Sequence, residues 1–390
     1  MVFSLCAAGF SRLHGRVPAT DDEAMMRRAL EAARRGWGDT HPNPMVGALI
    51  VEDGRVVADG YHARAGEPHA EIAALRNLGR PPAPGATLFV TLEPCSTHGR
   101  TPPCTEAIVG ACVRRVVAGA TDPNPRHAGR GFAQLRAAGV TVETGVLAEE
   151  CADLNFIFNH WIATGRPLFA GKIATTLDGR VATRAGESRW ITGATARREA
   201  MRWRRLFPAL AAGAGTVRAD DPRLTSRLGG REWCPMRLIF DRTLRTAVGP
   251  LPRVYSDAFR ARSIVVTGPA PVRSRRVRLE KQGVQLWTLP ARPGPKWFAA
   301  LAEKCAAAGL TGVLIEGGPT LLSAFLATRS LDYLFAYRAP KFFADAAALP
   351  ALTGRPRPRL ADAYTLTDVR QLALGDDQLL RGRVVYPAKK

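Results

Sequence analysis

Cysteine is scarce, with seven spread over 390 residues, too scattered for the disulfide framework of a small secreted domain. No apolar run reaches the ~20 residues needed to cross a bilayer, and nothing near the amino end reads as a signal peptide. Aromatic residues make up 7% of the chain and do not interleave with basic ones in the stripe that grips nucleic acid. These absences point to a reducing compartment, the cytoplasm by default, with no membrane and no nucleic-acid partner. Positive charge is what abounds: 55 Lys and Arg stand against 34 Asp and Glu, a net of +21. The arginines lie among alanines, glycines and prolines in short clusters such as Arg202-Trp203-Arg204-Arg205; arginine-rich composition with no local purpose is the larger part of the explanation, and a positive field that would benefit a small phosphorylated substrate and cofactor is the rest.

Length permits two cores. Residues 1–19 read as a loosely ordered tail. Thr20 with Glu23 forms a capping box that opens a helix through about Arg35. A first unit over 20–165 gives way at Thr164-Gly165-Arg166-Pro167 to a second over 166–390. In the first, the apolar stretches Met45 to Val51 and Ala86 to Leu92 read as buried strands between helices, an α/β/α sandwich.

The chemistry of the first unit rests on His69-Ala70-Glu71, on Pro94-Cys95, and on Cys104 after eight intervening residues. One imidazole and two thiolates make three zinc ligands and leave a position for water, whose proton the metal loosens. Glu71, not a ligand, is then the proton shuttle of a hydrolytic deamination. Pro68 and Pro94 each suit the first turn of a helix, so two helix starts are expected to meet at the metal. The competing reading is a closed structural zinc site completed by Cys112 or His98, which leaves Glu71 without a task.

In the second unit Leu168 to Thr176 alternates as a strand and presents Lys172, either a snorkelling surface lysine or a donor aimed into a cleft. Leu310 to Ile315 reads as a strand running through Glu316-Gly317-Gly318-Pro319-Thr320 into a helix over Leu321 to Ala327. Glycines at such a junction let a phosphate approach a helix amino terminus. The spacing is not that of a Rossmann fingerprint, and no Walker sequence is present.

The first unit carries His41-Pro42-Asn43-Pro44, Gly60-Tyr61-His62, Gly66 through Glu71, and Thr91 through Cys104. The second carries Lys172 through Arg180, Gly186 through Thr192, Gly215 through Thr225, and Glu316 through Thr320. In these motifs, their order and their spacing the chain resembles the RibD family of bifunctional riboflavin-biosynthesis enzymes. Nucleoside and transfer-RNA deaminases, the alternative with a carboxy-terminal nucleic-acid module, place two residues between their cysteines where this chain has eight.

The resemblance implies an α/β fold: a cytidine-deaminase-like sandwich followed by a dihydrofolate-reductase-like domain. It implies Zn2+ on His69, Cys95 and Cys104, with Glu71 as catalyst, removing an amino group from a diaminopyrimidinone ribosyl phosphate. Asn43 would bond the base, or merely its own turn, and His62 would line the pocket. His98 and Arg100 would touch substrate or lie in an exposed loop, and Asp122 to Pro125 would be a pocket wall or a stiff turn. For the second reaction it implies NADPH and reduction of the ribosyl group to ribityl, with Lys172 steadying charge. Ser188, Arg204, Leu224, Arg227 and Glu316 would face the substrate, the two arginines gripping its phosphate. Ala174, Trp190, Thr216, Asp220, Gly318, Pro319 and Thr320 would contact NADPH. A homo-oligomer built through the reductase domains is also implied. Two positions depart from the family pattern: Arg242 stands where a small polar residue is usual, and Ala344 where a run usually ends in glycine.

Overall fold

The computed structural model describes residues 21–98, 102–290, 294–354 and 357–388. The tail, Thr20 of the capping box and Arg100 lie outside the described residues. The first helix runs Asp21–Ala33 and tightens into a 3-10 turn over Arg34–Gly36.

A five-stranded sheet forms the first unit, in the order Arg55–Tyr61, Gly47–Glu52, Thr87–Leu92, Arg115–Ala120, Thr141–Thr144. Period-two alternation sorts its side chains. Ala48, Ile50, Leu88 and Val90 face one apolar layer with Ala70, Ala74, Ile108 and Phe132, whereas Leu49, Val51 and Phe89 face another with Met26, Ala29 and Leu30. The helix Ala70–Leu78 lies directly on the edge strand because Gly60 has no side chain: a Cβ there would sit 2.3 Å from the Ala74 nitrogen and 2.4 Å from the Ala70 oxygen.

The second unit is a nine-stranded sheet in the order Gln285–Thr288, Ser263–Thr267, Met236–Phe240, Ala209–Gly213, Gly312–Ile315, Leu168–Thr175, Tyr333–Arg338, Asp377–Val385, Thr365–Leu374. Its first seven strands are parallel, and the closing hairpin is antiparallel. Helices cover both faces, as a parallel sheet requires. Pro295–Ala307 and Pro319–Ala327 pack on the side of Phe169, Leu238 and Val313, and Ala194–Leu206 packs on the other.

The two sheets share that second layer. Phe156, from the helix Phe156–Thr164, packs against Tyr333 at 4.9 Å between ring centroids and against Trp203 at 6.2 Å. Polar contacts frame it: Trp37 Nε1 donates to the Arg202 carbonyl at 2.9 Å, and Arg381 is bidentate on Asp153, one arm at 2.6 Å. The helix ends at Gly165 (φ 65), and the next strand begins at Leu168.

Candidate active sites

His69 caps the helix Ala70–Leu78, which places Glu71 in its first turn. The second helix start at the site is at Cys104, which opens Cys104–Gly110, and not at Cys95 as the proline spacing predicts. Cys95 sits in an irregular turn whose sulfur accepts the Cys104 backbone N–H at 3.2 Å. The orphan amide of the helix start thus still serves a thiolate. His69 Nδ1 is 3.3 Å from Cys104 Sγ and 3.5 Å from Cys95 Sγ, and the three ligand atoms lie within 4.8 Å of one another.

This donor set fits a zinc ion. The hydrogen bond from the Cys104 thiol, helped by His69 and the Cys104 amide, holds the Cys95 thiol well below its ordinary range, while that same hydrogen bond, burial and the Glu71 charge push the Cys104 thiol up. Two thiols sharing one proton beside an imidazole nitrogen suit a divalent cation with sulfur affinity, which binds both sulfurs and displaces the proton. Among the described residues neither Cys112 nor His98 joins the cluster: Cys112 is exposed, and His98 pairs with Glu106 at 3.6 Å. Glu71 is 3% exposed, and burial pushes its carboxyl up to about 7, the range in which a carboxyl both accepts and returns protons.

A cavity of about 270 Å³ opens over these groups, lined among others by Asn43, His62, Asp122, Asn124 and Thr97. His62 is buried, with Nδ1 3.1 Å from the Pro68 carbonyl and Nε2 3.1 Å from Asn43 Nδ2. The carbonyl can only accept, so Nδ1 carries the proton and Nε2 accepts the Asn43 amide hydrogen. His62 therefore orients Asn43, whose Oδ1 has no partner among the described residues. Asp122 is both wall and turn, lining the cavity while Oδ1 accepts the Asn124 N–H at 2.8 Å. Three contributors went unread in sequence. Phe158 and Ile162 close the cavity from the junction helix. Glu93 accepts the N–H groups of Asp122, Gly129 and Gly131 at 3.1, 2.9 and 2.9 Å, pinning that loop to the Cys95 turn.

In the second unit a cavity of about 490 Å³ lies at the carboxyl ends of the strands ending at Gly213, Phe240 and Thr267, where open α/β sheets bind ligands. Thr216, Gly318 and Thr320 line it, and Thr216 Oγ1 accepts the Gly318 N–H at 3.1 Å. Pro319 is the first residue of the following helix. Arg242 and Arg245 also line the cavity and have no ion pair among the described residues, while the nearby Asp241 turns inward onto Thr246 at 2.6 Å. Ala174, Trp190 and Asp220 lie outside this cavity. Trp190 is 63% exposed under the Arg197 guanidinium at 4.5 Å, and Asp220 ends the helix Ala214–Asp220 near Arg189 at 3.7 Å.

Lys172 and Glu316 come together with Arg204, but not as the sequence predicts. Arg204 is bidentate on Glu316 at 2.6 and 2.8 Å, and its third arm donates to the Thr225 carbonyl at 2.9 Å. Its fork is therefore occupied within the protein, whereas Arg227 has no ion pair among the described residues and bonds only Thr225 Oγ1 at 2.8 Å. Against the upward push of burial, Arg204 holds the Glu316 carboxyl down at about 2. Leu224 buries its side chain and stands at φ 52, so only its backbone is available to a substrate. Ser188 is half-buried.

Fold and site together define a metal-dependent deaminase of the cytidine-deaminase type joined to a dihydrofolate-reductase-like reductase. Residues 19–120 match the cytidine and deoxycytidylate deaminase zinc-binding region, and residues 169–377 match the RibD C-terminal domain. The riboflavin biosynthesis protein RibD of Escherichia coli is 39% identical over 358 residues, covering 90% of this chain and 96% of that protein. That of Aquifex aeolicus is 40% identical over 326 residues, covering 83% and 88%. Among solved structures, Acinetobacter baumannii RibD superposes with a TM-score of 0.77 at 37% identity, covering 94% of this chain and 99% of the other. The Thermotoga maritima diaminohydroxyphosphoribosylaminopyrimidine deaminase/5-amino-6-(5-phosphoribosylamino)uracil reductase superposes with a TM-score of 0.76 at 33% identity, with the same coverage. The chain belongs to the RibD family. No helix among the described residues is long and apolar enough to cross a membrane.

Proposed function

We propose that the chain carries out two successive steps of riboflavin biosynthesis on one phosphorylated pyrimidine, with the zinc-dependent unit over 20–165 and the NADPH-dependent unit over 166–390. The observation that carries the reading is the convergence of His69, Cys95 and Cys104 beside buried Glu71, on a chain whose other half is a reductase. Bound zinc would supply Lewis-acid activation of water at those three ligands. Asn43 Oδ1, oriented by His62, accepts an N–H of the base. Glu71 takes a proton from the attacking water and delivers it to the ring nitrogen. It then serves the departing amine, so that water replaces ammonia and a carbonyl remains.

In the second step NADPH, when bound, supplies the hydride for carbon 1 of the opened sugar. Thr216, Gly318, Pro319 and Thr320 hold its phosphates at the helix start, with Ala174, Trp190 and Asp220 towards its reacting end. Ser188, the Leu224 backbone and Arg227 hold the phosphoribosyl chain inside the frame that Arg204 and Glu316 lock. The Lys172 ammonium faces the reacting carbon. Cytoplasmic location and assembly through the reductase unit belong to the same reading. The outermost strand Thr365–Leu374 leaves Val369 and Leu372 exposed, a surface that a second copy would cover, and sedimentation tests it. A nucleic-acid deaminase is disfavoured by the reductase half and by the cysteine spacing.

Ammonia release and NADPH oxidation are to be followed together on the diaminopyrimidinone ribosyl phosphate with zinc-loaded protein. Stoichiometric ammonia followed by NADPH oxidation is expected. Folded, zinc-loaded protein that releases no ammonia would overturn the first step.

A further inference from the structure

Lys172 is half-buried, and none of its three N–H donors has an acceptor among the described residues. Glu316 lies nearby, but both of its oxygens already accept from Arg204, and no ion pair joins it to Lys172. What the ammonium does face is an aromatic ring: Nζ stands 5.6 Å from the centroid of Tyr337, within reach of the negative π face. The register explains the meeting. Leu168–Thr175 pairs in parallel with Tyr333–Arg338, Phe335 opposite Lys172 and Tyr337 opposite Ala174. Residues two apart share a face of the sheet, so Tyr337 is the diagonal neighbour of Lys172. Tyr337 is 1% exposed, and its hydroxyl has no partner among the described residues. Packing in the apolar layer, not a hydrogen bond, holds the ring in place.

We propose that Tyr337 is a positioning residue of the reductase, whose ring face, in place of a carboxylate, holds the Lys172 ammonium at the reacting end of the sugar. The inference rests on the reading of Lys172 given above. The choice of partner matters chemically. A carboxylate would take up ammonium hydrogens in strong, directed bonds. A π face attracts the charge as a whole and leaves N–H groups for the substrate. It also offsets burial, which with the Arg204 charge pushes the Lys172 ammonium towards neutrality while Glu316 opposes them. The charged groups around Tyr337 itself are Glu199, Glu316 and Arg381, and a change at the ring leaves all of them in place.

The test uses the full zinc-loaded chain, with ammonia release from the other active site as the internal control for folding. Tyr337→Leu is expected to lower the kcat of NADPH-dependent reduction on the order of five- to tenfold with KM little changed. It should also move the alkaline limb of the pH profile down by about one unit. Tyr337→Phe keeps the ring and restores both. Pentafluorophenylalanine at the same position keeps the shape but reverses the ring's charge distribution, and it should behave like leucine. The proposal is overturned if Tyr337→Phe falls as far as Tyr337→Leu, or if the fluorinated ring supports wild-type rate and profile. Full reduction by Lys172→Met would instead remove the reading of Lys172, a separate failure.

Discussion

Replacing Glu316 by glutamine should destabilise the reductase unit by an amount that depends on pH in a defined way. The carboxylate is 9% exposed and bidentate on Arg204, itself 14% exposed. Its folded value of about 2 against an ordinary 4.5 corresponds to about 3 kcal/mol of stabilisation. Leaving one member of a buried pair uncompensated costs a similar ~3–5 kcal/mol. Because the folded value is the lower one, this stabilisation is complete above about pH 4.5 and drains away as pH falls towards 2. The glutamine variant has no such titration, so the gap between the two proteins should be about 3 kcal/mol at pH 7 and less than half of that at about pH 3. Urea unfolding of the full chain at both pH values measures the gap, and every other acid-labile contact cancels in the difference. A gap under ~1 kcal/mol at neutral pH, or one that is the same at both, refutes the assignment of Glu316 as the counter-charge of Arg204.

Glu71→Gln should retain zinc by mass spectrometry yet lose ammonia release by ~10²–10⁴-fold, with reduction of the deaminated intermediate intact; near-normal release would remove the proton-shuttle role. Ala344 occupies φ 52 while its N–H donates to Asp178 at 3.0 Å. Glycine tolerates that conformation, and Ala344→Gly should gain ~0.5–1 kcal/mol net of its entropy cost, read as a raised urea midpoint; a lowered midpoint would contradict the strain argument. Arg242, exposed at the rim of the larger cavity and with no ion pair among the described residues, should recognise the extra phosphate of NADPH. Arg242→Ala should weaken NADPH roughly tenfold by calorimetry and leave NADH unaffected, and equal losses for both cofactors would show that the arginine does not discriminate.

The parts legible in sequence are those whose chemistry is local. Proline before His69 marks a helix start, and alternation around Lys172 marks a strand with a cation where an apolar residue belongs. Both follow from backbone rules that span a few residues. The Cys95 turn departs from the helix start expected there because the amide that serves its sulfur comes from Cys104, nine positions away. Pairings across longer separations leave no local trace. Arg204 and Glu316 are 112 positions apart, and Glu93 meets Gly131 across 38. Phe158 and Ile162 have the spacing of ordinary core residues, and only the docking of their helix turns them to the cavity. Leu224 stands in a left-handed backbone conformation that no side-chain pattern announces. Ala344, by contrast, shows how a departure becomes intelligible: the family's glycine belongs where φ is positive.

The sequence divides into two units at Thr164 to Pro167, and the packing makes them one frame. Gly38 presses so closely on the second unit that a Cβ would lie 2.1 Å from the Arg205 carbonyl oxygen, which leaves no room for one sheet to slide past the other. His41 Nε2 donates to the Leu206 carbonyl at 2.5 Å, with Nδ1 3.4 Å from Thr311 Oγ1. Leu206 lies two residues beyond Arg204, and His41 two residues before Asn43. Asn43 of the first cavity and Arg204 beside Lys172 and Glu316 therefore sit close to the two ends of one hydrogen bond in a buried junction. Helix Phe156–Thr164 acts on both sides at once, with Phe158 and Ile162 facing the deaminase cavity and Phe156 facing Tyr333 and Trp203 of the reductase layer. Because the wall of one site and the core under the other belong to the same helix, the separation of the two active sites is set by packed side chains and not by the length of a flexible connection.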